Sequence, residues 1–356
     1  MRGRIDVGLL GATGIVGTWL ARMLRDHPWF RLAEVGASPA SEGRSYGEVA
    51  ALSSLPGGAE IPDEILALEL KAPTDEWSSP LLLCALPSRE AGRVEEELAG
   101  RGHVVVSNAA SHRMDADVPL IIPEVNPGHL ALVERQQERW PGMLITNPNC
   151  SVVGLALALA PLHRAFGLRM VTVATLQALS GAGRPGPSAG DMLDNVLPHI
   201  AGEEEKLARE PQKILGELQE RTIQPAAFPV SAQTHRVPVT HGHLLAVSAK
   251  LDVPANPDEV VEAFAGFRGA VRDERLPSAP VRPIDVVDGE ARPQPRLDRD
   301  RGDGMTVAVG RVRRCETLDV KFTVLVHNLV RGAAGAALLN AELCHVSGYS
   351  PKAGRR

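Results

Sequence analysis

Along its first hundred residues the chain alternates short apolar runs with amphipathic stretches. IDVGLL (5–10), RLAEVGAS (31–38), LLLCAL (81–86) and HVVVSN (103–108) read as strands. Between them, residues 14–26 set Val16, Leu20, Met23 and Leu24 at helical spacing, and SREAGRVEEELAG (88–100) pairs an apolar stripe with a charged face. This rhythm predicts a doubly wound parallel sheet. Residues 42–80 carry no strong period and predict no element.

Beyond residue 150 the pattern predicts a second region. It starts with a helix over 151–165, a strand at MVTVATLQAL (170–179) and a Gly/Pro loop, SGAGRPGPSAG (180–190). A charged helix follows at 203–219, broken at Pro211, and then a strand at HLLAVSAKLDV (243–253). MTVAVGRVRR (305–314) and VKFTVLVH (320–327) read as paired strands, and NLVRGAAGAALLNAELC (328–344) as a small-residue helix that packs closely. Residues 276–304 are rich in Pro, Asp and Arg. Alone they read as a disordered linker; between strands they read equally as an ordered excursion.

Composition narrows the class. A chain of 356 residues predicts two domains, and with 3% aromatics their cores must be built from Leu, Val and Ala. Net charge is −5, with no strong basic run before the C-terminal KAGRR (352–356), which argues against nucleic acid as a partner. The N-terminal apolar stretch runs straight into a glycine loop, unlike a signal peptide. No uninterrupted apolar run approaches the ~18 residues of a membrane span. The four cysteines, 84, 150, 315 and 344, are scattered without a CxxC, so neither a disulfide framework nor a metal site is expected, and reduced cytoplasmic thiols are the default.

Two stretches carry chemistry on their own, and a third supplies partners. GATGIVG (11–17) follows a strand and opens a helix, the context in which glycines let the backbone approach a dinucleotide pyrophosphate at a helix N-terminus. The second strand ends at Ala37-Ser38, without a terminal carboxylate for a ribose hydroxyl. Ser38, Ser41 and Arg44 suit a 2′-phosphate and favour NADP, whereas Glu34 would suit NAD if the strand ended earlier. The other stretch is NPNCSVVGLALALAPL (147–162), which sets Cys150 at the mouth of an apolar helix, where the dipole favours a thiolate and an amide could hold an oxyanion. Cys84 and Cys344 sit in apolar runs and read as packing residues; Cys315, among charges, is undecided. HRVPVTHGH (235–243) supplies an arginine suited to a carboxylate and histidines suited to proton transfer.

With these stretches in view, the chain resembles the aspartate-β-semialdehyde dehydrogenases of the archaeal and fungal-type branch. The resemblance rests on GATGIVG, SNAASHRMDADVPLIIPEVN (107–126), TNPNCS (146–151), LQALSGAGRPG (176–186), DNVLPHIAGEEEK (194–206), RVPVTHGH (236–243), PQPRLDRDRGDGM (293–305) and HNLVRGAAGAALLNAE (327–342), which span nearly the whole chain. It implies an α/β fold: a Rossmann-type NADP-binding domain over 1–149, completed by a C-terminal helix at 329–356, and an α+β catalytic and dimerisation domain over 150–328. It implies that Cys150 is the nucleophile, Gln177 orients the acyl intermediate, His243 is the general acid/base and Arg236 grips the substrate α-carboxylate. Glu203 and Lys206 would meet the substrate amino group and phosphate, with Asn108, Arg113 and Asn149 at phosphate positions. Gly11, Thr13, Gly14, Ile15, Val16, Ser38 and Ser41 would hold the cofactor, and Ser180, Gly181, Gly183 and Asn328 would line its nicotinamide side.

The activity so implied is reversible, NADPH-dependent reductive dephosphorylation of L-aspartyl-4-phosphate through a cysteine thioester, in a homodimer or homotetramer. Departures from the family pattern fall at Leu244 (usually Thr), Arg184 (usually Tyr) and Ala40 (often basic), and none removes a catalytic group. Rival readings on the same fold are an N-acetylglutamyl-phosphate reductase, a malonyl-CoA reductase or a sugar-phosphate aldehyde dehydrogenase. A non-catalytic NADP-binding regulator is a further alternative, against which the retention of Cys150, Gln177, Arg236 and His243 together argues.

Overall fold

The first apolar run folds as strand β1 (Ile5–Leu10) and feeds helix α1 (Ile15–Leu24), whose Leu20, Ala21 and Leu24 are buried. Strand β2 (Phe30–Gly36), short helices α2 (Tyr46–Val49) and α3 (Asp63–Leu66) and strand β3 (Leu70–Lys71) follow. Next come β4 (Leu81–Cys84), α4 (Ser88–Gly100), β5 (Val104–Ser107), α5 (Val133–Gln136) and β6 (Met143–Thr146). The computed structural model describes residues 3–50, 61–271 and 276–349. The basic KAGRR, residues 51–60 of the patternless stretch and the last residues of the expected closing helix lie outside these.

All pairings in this sheet are parallel, in the order β3-β2-β1-β4-β5-β6 of a dinucleotide-binding fold. Leu81–Cys84 and Val104–Ser107 are buried at every position, as strands covered on both faces must be. Two expectations need correction. β2 stops at Gly36, two residues before Ser38, and helix and strand signals too weak to read from the sequence do exist between 42 and 80.

The remaining elements build a mixed sheet. They are α6 (Cys150–Phe166), β7 (Leu168–Gln177), α7 (Ala189–Met192), α8 (Glu203–Ile214), the hairpin β8 (Glu217–Gln219) and β9 (Thr222–Gln224), β10 (Val230–Arg236), β11 (His243–Leu251), α9 (Pro257–Gly266), β12 (Ile284–Val287), α10 (Pro295–Asp298), β13 (Val307–Arg314) and β14 (Val320–Val326). A π-helical turn (Val330–Ala334) then leads into α11 (Gly335–Val346). The sheet order is β10-β7-β11-β14-β13-β12, antiparallel through its centre and parallel at both outer pairs. Val171, Val173, Leu245, Val247 and Ala249 face inward, and α6, buried at every position from Ser151 to Leu162, packs against this sheet.

The charged helix does not break at Pro211. It runs to Ile214, because Leu207, Glu210, Pro211 and Ile214 form one buried face that outweighs the single lost backbone bond, and 217–219 is strand instead. The 276–304 stretch is ordered. Buried Asp298 accepts from Arg292 (Nε, 2.7 Å) and Arg301 (3.2 Å), and the Arg292 guanidinium holds its carboxyl down at about 2. The final helix opens as a π turn where a plain α-helix was expected.

The chain divides into two compact units. One takes the described residues of Met1–Ile121, His129–Asn147 and Ala334–Arg356, the other those of Ile122–Gly128 and Pro148–Ala333. In the first unit, a Cβ on Gly17 would lie 2.2 Å from the Gly11 carbonyl oxygen, so α1 approaches the end of β1 only through a glycine. Gly17→Ala should therefore cost about 1–3 kcal/mol in urea unfolding. An unchanged midpoint would show that this turn has slack.

Candidate active site

Asn149 is the N-cap of α6, and each of its polar groups is engaged. Its Oδ1 accepts from the N–H groups of Ser151 (3.0 Å) and Val152 (3.4 Å), and its carbonyl accepts from Val153. Its Nδ2 donates to both oxygens of Glu203, each at 2.9 Å, and its own N–H donates to Glu210 Oε2 at 2.7 Å. Glu203 and Glu210 stand seven residues apart on one face of α8, which is why both reach the same turn. Cys150 follows as the first residue of the helix.

The sheet delivers the other groups to the same end. Gln177 closes β7 and pairs in register with Arg236, which closes the neighbouring parallel β10; His243 opens the antiparallel β11. Cys150 Sγ lies 3.3 Å from His243 Nε2, and His243 Nδ1 accepts from the Ala178 N–H at 3.0 Å. Arg236 donates to the Ala178 carbonyl at 2.8 Å. Gln177 Nε2 reaches Glu203 Oε2 at 3.2 Å, and Lys206 Nζ reaches Glu203 Oε1 at 2.8 Å. Burial raises the Glu203 carboxyl, but the Lys206 ammonium and the two amides outweigh it and hold the group below its ordinary value.

Two glycines fit against the reacting groups. A Cβ on Gly181 would meet the His243 ring at 2.9 Å and Arg236 Nη1 at 3.0 Å, and one on Gly332 would meet Cys150 Cβ at 2.8 Å. Gly332 lies in the π turn, whose Arg331 is fully buried and donates to Glu124 at 2.7 Å. Asn328 is a strut: it accepts from the Gly242 N–H (2.8 Å) and donates to Ser180 Oγ (2.9 Å). Gly183 takes a left-handed φ of 72° just beyond.

The first unit holds the remaining sequence-derived candidates. Gly11, Thr13, Gly14, Ile15 and Val16 form the β1–α1 turn; Gly14 caps α1 without a side-chain bond, and the first turn of α1 has no acidic residue, leaving its amides open to an anion. Ser38 precedes and Ser41 closes a short 3₁₀ turn after β2, with Ser38 exposed. Glu34 lies inside β2, bound by Lys71 (2.6 Å) and the amides of Ser78 and Ser79, and its carboxyl is held down at about 2 because these bonds outweigh burial. Asn108 follows β5, accepting from Arg113 at its carbonyl (2.7 Å) and from Asn147 at Oδ1 (2.9 Å).

The structure brings Cys150, Gln177, Glu203, Lys206, Arg236, His243 and Asn149 to one place. Sequence reasoning missed Glu210, Gly332 and the Ala178 peptide. Of these only Glu210 left a signal, as a second carboxylate one heptad from Glu203 on a face otherwise marked by Leu207 and Ile214. Among the other thiols, burial pushes Cys344 up to about 12 and Cys84 well above its ordinary value. Partly exposed Cys315 sits at about 7, because bonds from Thr317, Leu318 and Ser248 outweigh its small burial.

Burial and neighbouring cationic groups hold His243 at about 3 and His327 at about 4. Above about pH 6.5 both rings are neutral whether folded or unfolded. Below it the unfolded chain takes up protons that the native state refuses, so stability falls as pH drops toward 4. The urea midpoint should be lower at pH 5 than at pH 7.5, and His243→Gln should shrink the difference. A midpoint independent of pH over this range would refute the assignment of neutral buried rings.

Comparison with known proteins agrees with this geometry. The semialdehyde dehydrogenase NAD-binding domain matches residues 6–133, and the semialdehyde dehydrogenase dimerisation domain matches residues 159–331. An aspartate-semialdehyde dehydrogenase of Methanothermobacter thermautotrophicus is 46% identical over 95% of this chain and 98% of its own. A malonyl-CoA reductase (NADP) of Metallosphaera sedula is 38% identical over 99% of this chain and 100% of its own. The crystal structure of aspartate-semialdehyde dehydrogenase with NADP from Candida albicans superposes with a TM-score of 0.89 at 37% identity, covering 97% of this chain and 99% of that one. From strand order, site geometry and these likenesses together, the chain belongs to the semialdehyde dehydrogenase family, in the branch of the archaeal and fungal aspartate-semialdehyde dehydrogenases.

Proposed function

We propose that this protein catalyses the reversible, NADPH-dependent reductive dephosphorylation of L-aspartyl-4-phosphate to L-aspartate-4-semialdehyde, through a thioester on Cys150. The observation that carries the reading is the 3.3 Å approach of Cys150 Sγ to His243 Nε2 at a helix mouth flanked by buried Arg236 and buried Glu203. A cation for a carboxylate and a carboxylate for an ammonium, beside a nucleophile, match an amino-acid acyl group. Malonyl-CoA offers no ammonium to Glu203, so the aspartyl reading is favoured over the activity named for the Metallosphaera relative.

The residues present fit a dinucleotide. The uncapped amides at the N-terminus of α1 suit a pyrophosphate, and a Cβ on Gly11 would collide with the Ala85 carbonyl at 2.5 Å, so the turn packs against the residue after β4 only through glycine. Ser38, Ser41 and Arg44 are the groups offered to a 2′-phosphate, while Glu34 is occupied elsewhere. When bound, the reduced nicotinamide supplies the hydride that converts the thioester to the aldehyde. Cys150 attacks the acyl carbon and expels phosphate; Arg236 holds the α-carboxylate; Gln177 orients the acyl group; Glu203 meets the ammonium; and Lys206, with Asn149, serves the phosphate side. Asn328, through Ser180, and the glycines 181 and 183 shape the nicotinamide side.

One face of the mixed sheet is left uncovered within the chain, with Met170, Thr172, Leu176, Ser231, Gln233 and Ala246 exposed along three strands. We assign this face to a second copy, giving a homodimer or a pair of dimers. No helix among the described residues is long and apolar enough to cross a membrane, and four free thiols suit a reducing cytoplasm.

Phosphate-dependent NADP reduction with aspartate semialdehyde should be robust, and Cys150→Ala should abolish it. A faster reaction with malonyl-CoA and NADPH, or a Cys150→Ala protein that keeps its rate, would overturn the proposal. Light scattering should give a dimer or tetramer, and a monomer at micromolar concentration would refute the sheet-face assignment.

A further inference from the structure

We propose that the buried Arg331–Glu124 ion pair is a positioning clamp for the nucleophile: it fixes the π turn so that the Gly332 backbone braces Cys150 at the head of α6. This rests on the thioester reading above and adds two positioning residues to it, neither of which touches the reacting atoms.

The turn is set by backbone bonds at its start. His327 Nδ1 accepts from the N–H groups of Leu329 (3.3 Å) and Val330 (3.2 Å), and the Gly332 N–H donates to the His327 carbonyl at 3.0 Å, five residues back. That widened turn lays Gly332 on the cysteine. A Cβ there would stand 2.8 Å from Cys150 Cβ, 3.0 Å from its Cα and 3.1 Å from its carbonyl oxygen. Backbone has no rotamer with which to yield, so the position of Gly332 is passed directly to Cys150.

Arg331 precedes Gly332, and its fully buried side chain reaches Glu124, Nη2 to Oε2 at 2.7 Å. Glu124 is itself held on several sides. Its carbonyl accepts from the Ala270 N–H at 2.9 Å, and a Cβ on Gly269 would meet the Glu124 Cβ at 2.7 Å. The next carbonyl, of Val125, accepts from Arg164 Nη2 at 2.7 Å, and Arg164 lies in the last turn of α6. Residues 124 and 125 are thus gripped by one arginine from the far end of α6 and by another from the turn that abuts its head. The cysteine is in this way referenced to its own helix.

Stability does not explain the pair. Moving two charges out of water costs more than their attraction returns unless the remaining protons and lone pairs also find partners. Buried Asp298 meets that condition, with Arg292, Arg301 and the Gln294 N–H on its carboxylate. Arg331 and Glu124 share one hydrogen bond, while Arg331 Nε, Arg331 Nη1 and Glu124 Oε1 have no partner among the described residues. Two apolar side chains of similar volume would fill the space without that cost. What they would lack is direction: a guanidinium must find its one carboxylate, whereas apolar chains pack in several near-equal ways. The pair specifies a position more than it stabilises a fold.

Position matters at Cys150, whose Sγ stands 3.3 Å from His243 Nε2 at the head of α6. A misplacement of about 1 Å can lower a rate on the order of 10²-fold. Arg236 and Glu203, which would hold the substrate, take no part in the clamp, so the loss should fall on kcat and spare KM.

The full-length protein in a Cys315→Ser background tests this, with labelling read at Cys150. Removing one partner alone would strand a buried charge, so Arg331→Met and Glu124→Leu are made together. The double variant should keep its urea midpoint within about 0.5 M of the parent. Its KM for aspartate semialdehyde should change by less than about twofold, and its kcat should fall roughly 10- to 100-fold. The pH at which iodoacetamide labels Cys150 at half its maximal rate should rise by about half a unit or more, because the thiol loses its place at the helix head. Arg331→Lys keeps a cation for Glu124 and should hold kcat within about fivefold of the parent. An unchanged kcat and labelling profile in the double variant would overturn the proposal, as would equal loss in Arg331→Lys. So would a double variant that fails to fold, or one whose activity falls only with its stability while the labelling profile stays put. If the parent had no phosphate-dependent activity, the proposed function would fall, and the labelling profile, which needs no turnover, would still decide the clamp.

Discussion

At Asn149 the chain must turn from strand β6 into a helix buried from Ser151 to Leu162, and the donors and acceptors at the turn must be met within the protein. α8 answers this by sending two carboxylates into the same place: Glu210 takes the backbone N–H, and Glu203 takes the side-chain amide. In an ordinary capping box the carboxylate that satisfies the cap's N–H lies three residues into the same helix. Here that position is Val152, and the carboxylate comes from another helix. Local backbone satisfaction is thereby tied to tertiary packing, and Cys150 inherits its placement from α8. Gly332 and the π turn close the other side of the cysteine, so the sulfur is located by backbone on two fronts.

The same economy governs charge. The site gathers Arg236, Lys206, Glu203 and several imidazoles in a nearly dry volume, where an unmatched charge is costly. Glu203 is matched by one cation and two amides and stays ionised; Arg236 is anchored on a carbonyl beside it; the imidazoles respond by remaining neutral. The Cys150 sulfur is left among the amides at the head of α6, the His243 ring and a nearby guanidinium, surroundings that favour a thiolate. Such a preorganised set needs little rearrangement as charge moves from sulfur to oxygen.

Much of this was legible in the sequence because it depends on short-range chemistry. The strand, glycine turn and helix of residues 5–24 follow from local pattern, and the reactive position of Cys150 follows from its place before an apolar run. Cys84 and Cys344 read as packing residues because their neighbours are apolar, and both are buried. What stayed hidden is set by distant packing. Pro211 looked like a break because its ring is local, while the buried face that carries the helix past it is not. The strand ending at Gly36, not Ser38, is settled by where β3 stops pairing. Glu210 left only its heptad spacing from Glu203, and its partner, the Asn149 N–H, comes from distant packing. The π turn was not read from the sequence, and its Gly332 fits against Cys150, a residue 182 positions earlier.

The division of the chain has a consequence for its birth. α11, buried along nearly its whole length, belongs with the first unit, where it lies near β4, β5 and α1 and pairs Glu342 with His27 at 2.8 Å. It is nonetheless made after the entire second unit. During synthesis the N-terminal sheet must therefore wait for most of the chain to be translated before one of its covering helices exists. In that interval an apolar face stands open to solvent, and the nascent protein depends on slow, long-range closure at the stage where aggregation competes most strongly with folding.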